Sequence, residues 1–181
     1  MNKALFLDRD GVINIDRQYV YRKEDFEFIE GVFSACRYFS EQGYLLIIVT
    51  NQSGIARGFY SEKAYHELTS WMIKCFEKEK VKITKVYYCS HHVGFTHECD
   101  CRKPEPGMIL QAQREFKVDL SQALLVGDKV SDIQAGLAAG IKHNFLIEGK
   151  ESCPANLDCQ VVSSLSELSE RFIFLDKLSS H

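Results

Sequence analysis

The chain lacks a long hydrophobic run. Its longest clean apolar stretch, 44–49, is far short of the roughly 20 residues that cross a bilayer. A secretory leader needs about 7–15 consecutive apolar residues, and only Ala4-Leu5-Phe6-Leu7 separates Lys3 from Asp8. A cytoplasmic protein without membrane contact is therefore expected. Positive charge is not in excess either. Lys and Arg number 22 against 25 Asp and Glu, for a net charge of −3. With no basic or aromatic stripe, this argues against a nucleic-acid surface. No G-x-G-x-x-G or Walker fingerprint is present. Prolines number only 3, and no linker, repeat or low-complexity tract divides the chain. One domain over 1–181, acting as a monomer, is the expectation, and a chain of this size buries about 70% of its unfolded surface.

Cysteine is plentiful, with seven in the chain. In a reducing compartment these are expected as thiols, not as a disulfide framework. Cys89-Ser90-His91 and Cys99-Asp100-Cys101 stand seven residues apart. Three thiolates and one imidazole make a tetrahedral structural zinc set with no open position for catalysis. The competing reading is a chance cluster of reduced thiols, or a disulfide. His91 is preferred to His92 and His97 because it stands two residues from Cys89. The 89–101 loop ends directly before Arg102-Lys103, so Zn²⁺ there would position those cations. Cys36 and Cys75 fall on apolar helix faces as core thiols, and Cys153 and Cys159 read as loop or partly buried thiols.

Short apolar runs alternate with helical patterns. Strands are predicted at 4–7, 45–49, 86–89, 123–126, 144–147 and 159–162. Helices are predicted at 31–42, 61–80 with Ser61 as N-cap, 108–116 and 131–139 ending near Gly140. A capping box, Ser164-Leu165-Ser166-Glu167, opens a last helix. The alternation predicts an α/β fold with a Rossmann-like parallel sheet and helices on both faces. Ligands in such sheets bind beyond the carboxyl ends of the strands. That rule selects Asp8-Arg9-Asp10, Thr50-Asn51-Gln52 and Gly127-Asp128-Lys129.

Asp8 and Asp10 are two apart, so they share one side of an extended chain. Asp128 follows another strand, with Asp132 one helical turn on. A lone Asp at a strand end is most simply a turn residue, but carboxylates gathered this way suit Mg²⁺. With Thr50 and Lys103 the set supports phosphoryl transfer. Asp8 could attack phosphorus, and Asp10 could move the proton. Thr50 and Asn51 could donate to phosphoryl oxygens, and Lys103 could oppose developing negative charge. Arg57 is either a contact to a second phosphate or a surface arginine. Trp71 reads as helix packing.

Asp8-Arg9-Asp10-Gly11-Val12, the strand ending in Thr50-Asn51, Lys103-Pro104, and Gly127-Asp128-Lys129 with Asp132 resemble the four motifs of haloacid dehalogenase superfamily phosphatases. Asp8 through Asn14, Thr50 through Gly58 and Cys99-Asp100-Cys101-Arg102-Lys103-Pro104 are similar to the D-glycero-D-manno-heptose 1,7-bisphosphate 7-phosphatases. That resemblance implies removal of the 7-phosphate of a phosphorylated sugar through an aspartyl-phosphate, on the route to ADP- or GDP-heptose and lipopolysaccharide. It implies Asp8 as nucleophile and Asp10 as acid/base. Mg²⁺ would be held by Asp8, the Asp10 main-chain carbonyl and Asp128. It implies substrate contacts at Asp16, Arg17, Gln18, Tyr19, Asn51, Gln52, Ser53, Arg102 and Lys129, and it includes the zinc loop. Arg17 and Gln18 depart from the His-Gly of familiar members. Asp10 and Thr50 lie 40 residues apart, and Thr50 and Lys103 lie 53 apart. Core elements fill most of both intervals, so a capless form is expected. The alternatives are a histidinol-phosphate phosphatase, in which Gly-Asp-Arg is expected at 127–129, and an inactive zinc-stapled binding protein.

Overall fold

The computed structural model describes residues 1–179. In chain order it contains β1 Lys3–Leu7, α1 Val32–Glu41, β2 Tyr44–Asn51, α2 Glu62–Lys78, β3 Lys85–Cys89, α3 Gly107–Phe116, β4 Leu124–Gly127, α4 Val130–Ala139, β5 His143–Ile147, β6 Gln160–Val162 and α5 Leu165–Ser179. The strands pair in the order β3-β2-β1-β4-β5-β6, and every pairing is parallel. The chain winds outward from β1 in one direction, then returns to β4 and winds the other way. A crevice opens where strand order reverses, beside the carboxyl end of β1. This is the doubly wound, Rossmann-like arrangement expected.

The continuous apolar runs are explained by burial on both faces. Leu5, Leu7, Leu46 and Ile48 face a core shared with Phe39 of α1, Met72 and Phe76 of α2 and Leu168 of α5. Ala4, Phe6, Ile47 and Val49 face the opposite core, with Met108 and Ile109 of α3 and Ile133 of α4. Ser61 caps α2, its Oγ accepting from Ala64 N at 3.1 Å. Trp71 packs edge-on against Phe26, as helix packing requires. No described helix is long and apolar enough to cross a membrane. Among the described residues the excursions 10–31 and 52–60 form loops and a short 3-10 turn, not a cap.

Three expectations differ from the structure. Cys75, expected as a core thiol, is only partly buried and lies outside both cores, because it falls beside and not on the buried face of α2. The start of α5 is shifted from a strict capping box. Ser164 Oγ accepts from Glu167 N, but the Glu167 carboxylate accepts from Ser163 N, one residue earlier. Cys153 and Cys159, expected as thiols, form a disulfide. A turn at Pro154, whose carbonyl accepts from Leu157 N at 3.0 Å, reverses the chain. The two Cα atoms come within 6.5 Å, a bridgeable distance. Compartment arguments address thiols in general, whereas local chain reversal decides which pair can meet.

Candidate active site

The carboxyl ends of the strands converge on a cleft of about 660 Å³. Asp8 and Asp10 follow β1, Asn51 ends β2, Arg102 and Lys103 come from the loop after β3, and Lys129 follows β4. Asp16, Gln18, Tyr19, Gln52 and Ser53 also line it. The D-R-D-G turn depends on its glycine. Gly11 has φ +89°, and a Cβ there would lie 2.3 Å from Asp128 Oδ2. Gly127 is equally constrained, since its Cβ would fall 2.2 Å from Asp132 Cβ.

Lys103 is buried, and its ammonium donates to Asp8 Oδ1 at 3.0 Å and to the Val49 carbonyl at 2.7 Å. It also pairs with Asp132 Oδ1 at 2.5 Å. Burial works against its charge, but Asp132 and Asp8 outweigh that and hold its pKa above the ordinary lysine value. Asn51 clamps the same residue from the main-chain side. Its Oδ1 accepts from Lys103 N and its Nδ2 donates to Lys103 O, both at 3.1 Å. Asn51 thus positions Lys103, a role that spacing alone does not reveal. The Asp10 carboxylate accepts from Arg9 Nε at 3.1 Å, Arg9 Nη2 and Asn14 Nδ2 at 3.0 Å, and Gln52 Nε2 at 3.2 Å. Gln52 is itself held by the Tyr60 hydroxyl at 2.5 Å. Thr50 lies beneath the cleft, fully buried, with Oγ1 accepting from Gln52 Nε2.

Asp8, Asp128 and Asp132 each bring an oxygen within a 4.8 Å group. Asp132 is already engaged by Lys103 and by the Lys129 main-chain N–H at 3.0 Å. Asp128 Oδ1 is buried without a hydrogen-bond partner. Burial, and then the charge of Asp8, push the Asp128 carboxyl up to about 8, against the pull of Lys129. Asp8 is raised by burial, with Lys103 opposing and Asp132 reinforcing. An unpartnered buried oxygen among mutually repelling carboxylates fits a hard divalent cation such as Mg²⁺. Asp132, grouped by its spacing with the metal-binding carboxylates, pairs with Lys103 and orients it.

Beside the cleft, Cys89, His91, Cys99 and Cys101 bring their ligand atoms within 4.8 Å of one another. Cys89 Sγ lies 3.6 Å from Cys99 Sγ and 3.7 Å from His91 Nδ1, and His91 Nδ1 lies 3.3 Å from Cys101 Sγ. The Cys89–Cys101 sulfurs are closer, at 2.8 Å. Zinc–ligand bonds of about 2.0–2.3 Å in a tetrahedron put neighbouring donors roughly 3.3–3.8 Å apart, so the first three separations fit the ion. Arg102 Nη1 donates to the His91 carbonyl at 3.3 Å, tying this loop to the cleft.

Two residues considered for substrate contact lie elsewhere. Arg17 does not line the cleft and pairs with the exposed Glu27. Arg57 contacts His92 Nε2 at 2.7 Å, against the cysteine loop. Tyr60, Ser131 and Lys150 line the cleft without having been singled out from sequence. Applying the strand-end rule to β5 would have reached Lys150.

The HAD-hydrolase-like family model matches residues 100–168. A D-glycero-alpha-D-manno-heptose-1,7-bisphosphate 7-phosphatase of Campylobacter jejuni is 55% identical over 80% of this chain and 82% of its own length. A D-glycero-beta-D-manno-heptose-1,7-bisphosphate 7-phosphatase of Haemophilus influenzae is 49% identical over 81% and 82%. Among solved structures, the D,D-heptose 1,7-bisphosphate phosphatase of B. bronchiseptica, complexed with magnesium and phosphate, superposes with a TM-score of 0.86. It is 26% identical and covers 96% of this chain and 99% of its own. A strand-end carboxylate cluster on a doubly wound sheet and this level of identity lead to one conclusion: the chain belongs to the D-glycero-D-manno-heptose-1,7-bisphosphate 7-phosphatase family of haloacid dehalogenase-like hydrolases.

Proposed function

We propose that the chain is a Mg²⁺-dependent phosphoric monoester hydrolase that removes the 7-phosphate of D-glycero-D-manno-heptose 1,7-bisphosphate, in the formation of ADP- or GDP-heptose for lipopolysaccharide or surface glycans. The observation carrying this reading is the Lys103 ammonium, held between Asp8 and Asp132 at the base of a polar cleft. A nucleophilic carboxylate, its cation and a buried unpartnered ligand oxygen converge there. Asp8 and Asp128 would hold Mg²⁺, together with the Asp10 main-chain carbonyl. Bound there, Mg²⁺ offsets the repulsion between a phosphate dianion and the attacking carboxylate.

Asp8 attacks phosphorus in line, the P–O bond to the sugar breaks, and protonated Asp10 gives its proton to the leaving oxygen. Asp10 then takes a proton from the water that attacks the aspartyl-phosphate, releasing inorganic phosphate and restoring both side chains. Lys103 balances the charge on the transferring phosphoryl group, and Thr50 has a hydroxyl proton to donate to it. Asp16, Gln18, Tyr19, Gln52, Ser53, Arg102 and Lys129 shape the sugar side of the cleft. We read the protein as a one-domain cytoplasmic monomer acting on a small phosphorylated sugar.

Phosphate release with Mg²⁺ from both heptose anomers and from histidinol phosphate tests the reading. One heptose anomer is expected to exceed histidinol phosphate in kcat/KM by at least about 100-fold. A preference for histidinol phosphate would overturn the substrate assignment and leave the chemistry. Both anomers belong in the assay because the two relatives are named for different ones.

We further propose that Cys89, His91, Cys99 and Cys101 hold a structural Zn²⁺. About one zinc per chain is expected by elemental analysis, from the four-donor set. Cys101→Ser should lose the metal and raise KM, because Arg102 hangs from the same loop. A fully active, zinc-free protein contradicts this role.

A further inference from the structure

The loop after β5 reaches back to the cleft. Lys150 lines it, and its ammonium donates to Asp16 Oδ2 at 2.6 Å. Lys129 Nζ lies 3.9 Å from the same oxygen. Asp16 is held in turn, since its Oδ1 accepts from Gln18 N at 2.9 Å. One well-ordered carboxylate therefore gathers two lysines, from the loops after β4 and β5. The loop is anchored next door, where Glu151 accepts from Val130 N at 2.5 Å at the start of α4.

The two lysines differ in what else they serve. Lys129 is half-buried, its main-chain N–H donates to Asp132 Oδ2 at 3.0 Å, and its ammonium stays 3.9 Å from Asp16. Lys150 is 57% exposed at its side chain and has no second acidic partner among the described contacts. Lys103 is enclosed by Asp8 and Asp132. Of the two lysines gathered by Asp16, Lys150 is therefore the one better able to redirect its charge to an arriving anion. Two ammonium groups that share one oxygen are close enough for a single phosphate to bridge, accepting from each at about 2.8 Å.

We propose that Lys150 is a specificity-determining residue that binds the second, non-reacting phosphate of a sugar bisphosphate, with Asp16 holding it and Lys129 in readiness. This rests on the bisphosphatase reading above. The distal phosphate displaces the Asp16 carboxylate from Lys150 and takes its place. A monophosphate cannot make this exchange, so Lys150 discriminates between bisphosphate and monophosphate substrates of the same sugar.

The test compares kcat/KM for heptose 1,7-bisphosphate and heptose 7-phosphate in the wild type, Lys150→Met and Lys150→Arg. The wild type prefers the bisphosphate. Lys150→Met shrinks that preference by about tenfold, mainly through KM, as expected for one charge-assisted contact at a half-exposed position. Lys150→Arg retains most of it. A preference that survives Lys150→Met intact overturns the role of Lys150 and leaves the bisphosphatase reading standing. A wild type indifferent to the second phosphate overturns both.

Discussion

Asp8→Asn lowers kcat by at least about 1,000-fold, the scale seen when an enzyme loses its nucleophile, while the chain stays folded. The amide has nearly the same shape as the carboxylate and can still accept from Lys103, which keeps Asp132 as its counter-charge. It cannot form a stable acyl-phosphate. Stability responds in the opposite sense to activity. A carboxyl whose folded pKa is raised holds a proton that the unfolded chain releases, so stability falls as pH rises between the two values. For Asp128 in the metal-free protein that window runs from about 3.9 up to about 8. Asp8 is the second cause of that rise, and Asp8→Asn removes it. Thermal melts in EDTA should therefore diverge in favour of the variant as pH climbs from 5 to 8. Turnover within tenfold of wild type would falsify the nucleophile assignment.

Lys103→Met is expected to cost both stability and turnover. The wild-type ammonium touches Asp8, Asp132 and the Val49 carbonyl from a buried position. Removing the cation from such a buried cluster leaves uncompensated carboxylates, at about 3–5 kcal/mol. For a domain of this size that is a fall in Tm of roughly 10 °C. The raised pKa of Lys103 sets the sign. Its contribution is fully present below the unfolded lysine value and is lost only as pH rises through the higher folded one, so it persists across pH 5–8. The variant's deficit should shrink toward acid, where Asp8, whose pKa is raised by burial, takes up a proton, and kcat at neutral pH should drop by about 100-fold or more. A variant that melts with the wild type at pH 7 would show that Lys103 does not balance the two carboxylates.

Five of the six strands are legible because each is a short apolar run whose alternate residues enter opposite cores, as Leu5 and Phe6 do, whereas β6 buries only Val162. The strand-end rule then selected Asp8, Asp10, Asn51 and Lys129, all of which line the cleft. Arg17 is a substrate contact only by the family resemblance, and it pairs with Glu27 outside the cleft. Gln18 and Tyr19 take positive φ values of 61° and 52°. Those angles turn the backbone so that successive side chains no longer follow an extended pattern, and periodicity cannot anticipate such a turn. The Cys153–Cys159 bond was missed for a related reason, because a turn rather than spacing joins the pair.

Periodicity and strand-end chemistry are local properties, so the residue order alone already carries the sheet, the strand-end carboxylates and the cysteine–histidine set. Folding in three dimensions is what lets Asn51 clamp Lys103, Asp132 share the lysine of Asp8, and Lys150 meet Asp16 from 134 residues away. Those arrangements arise from the parallel winding, which brings the carboxyl ends of distant strands to one edge. Nothing in the spacing of the residues along the chain encodes which of them then touch.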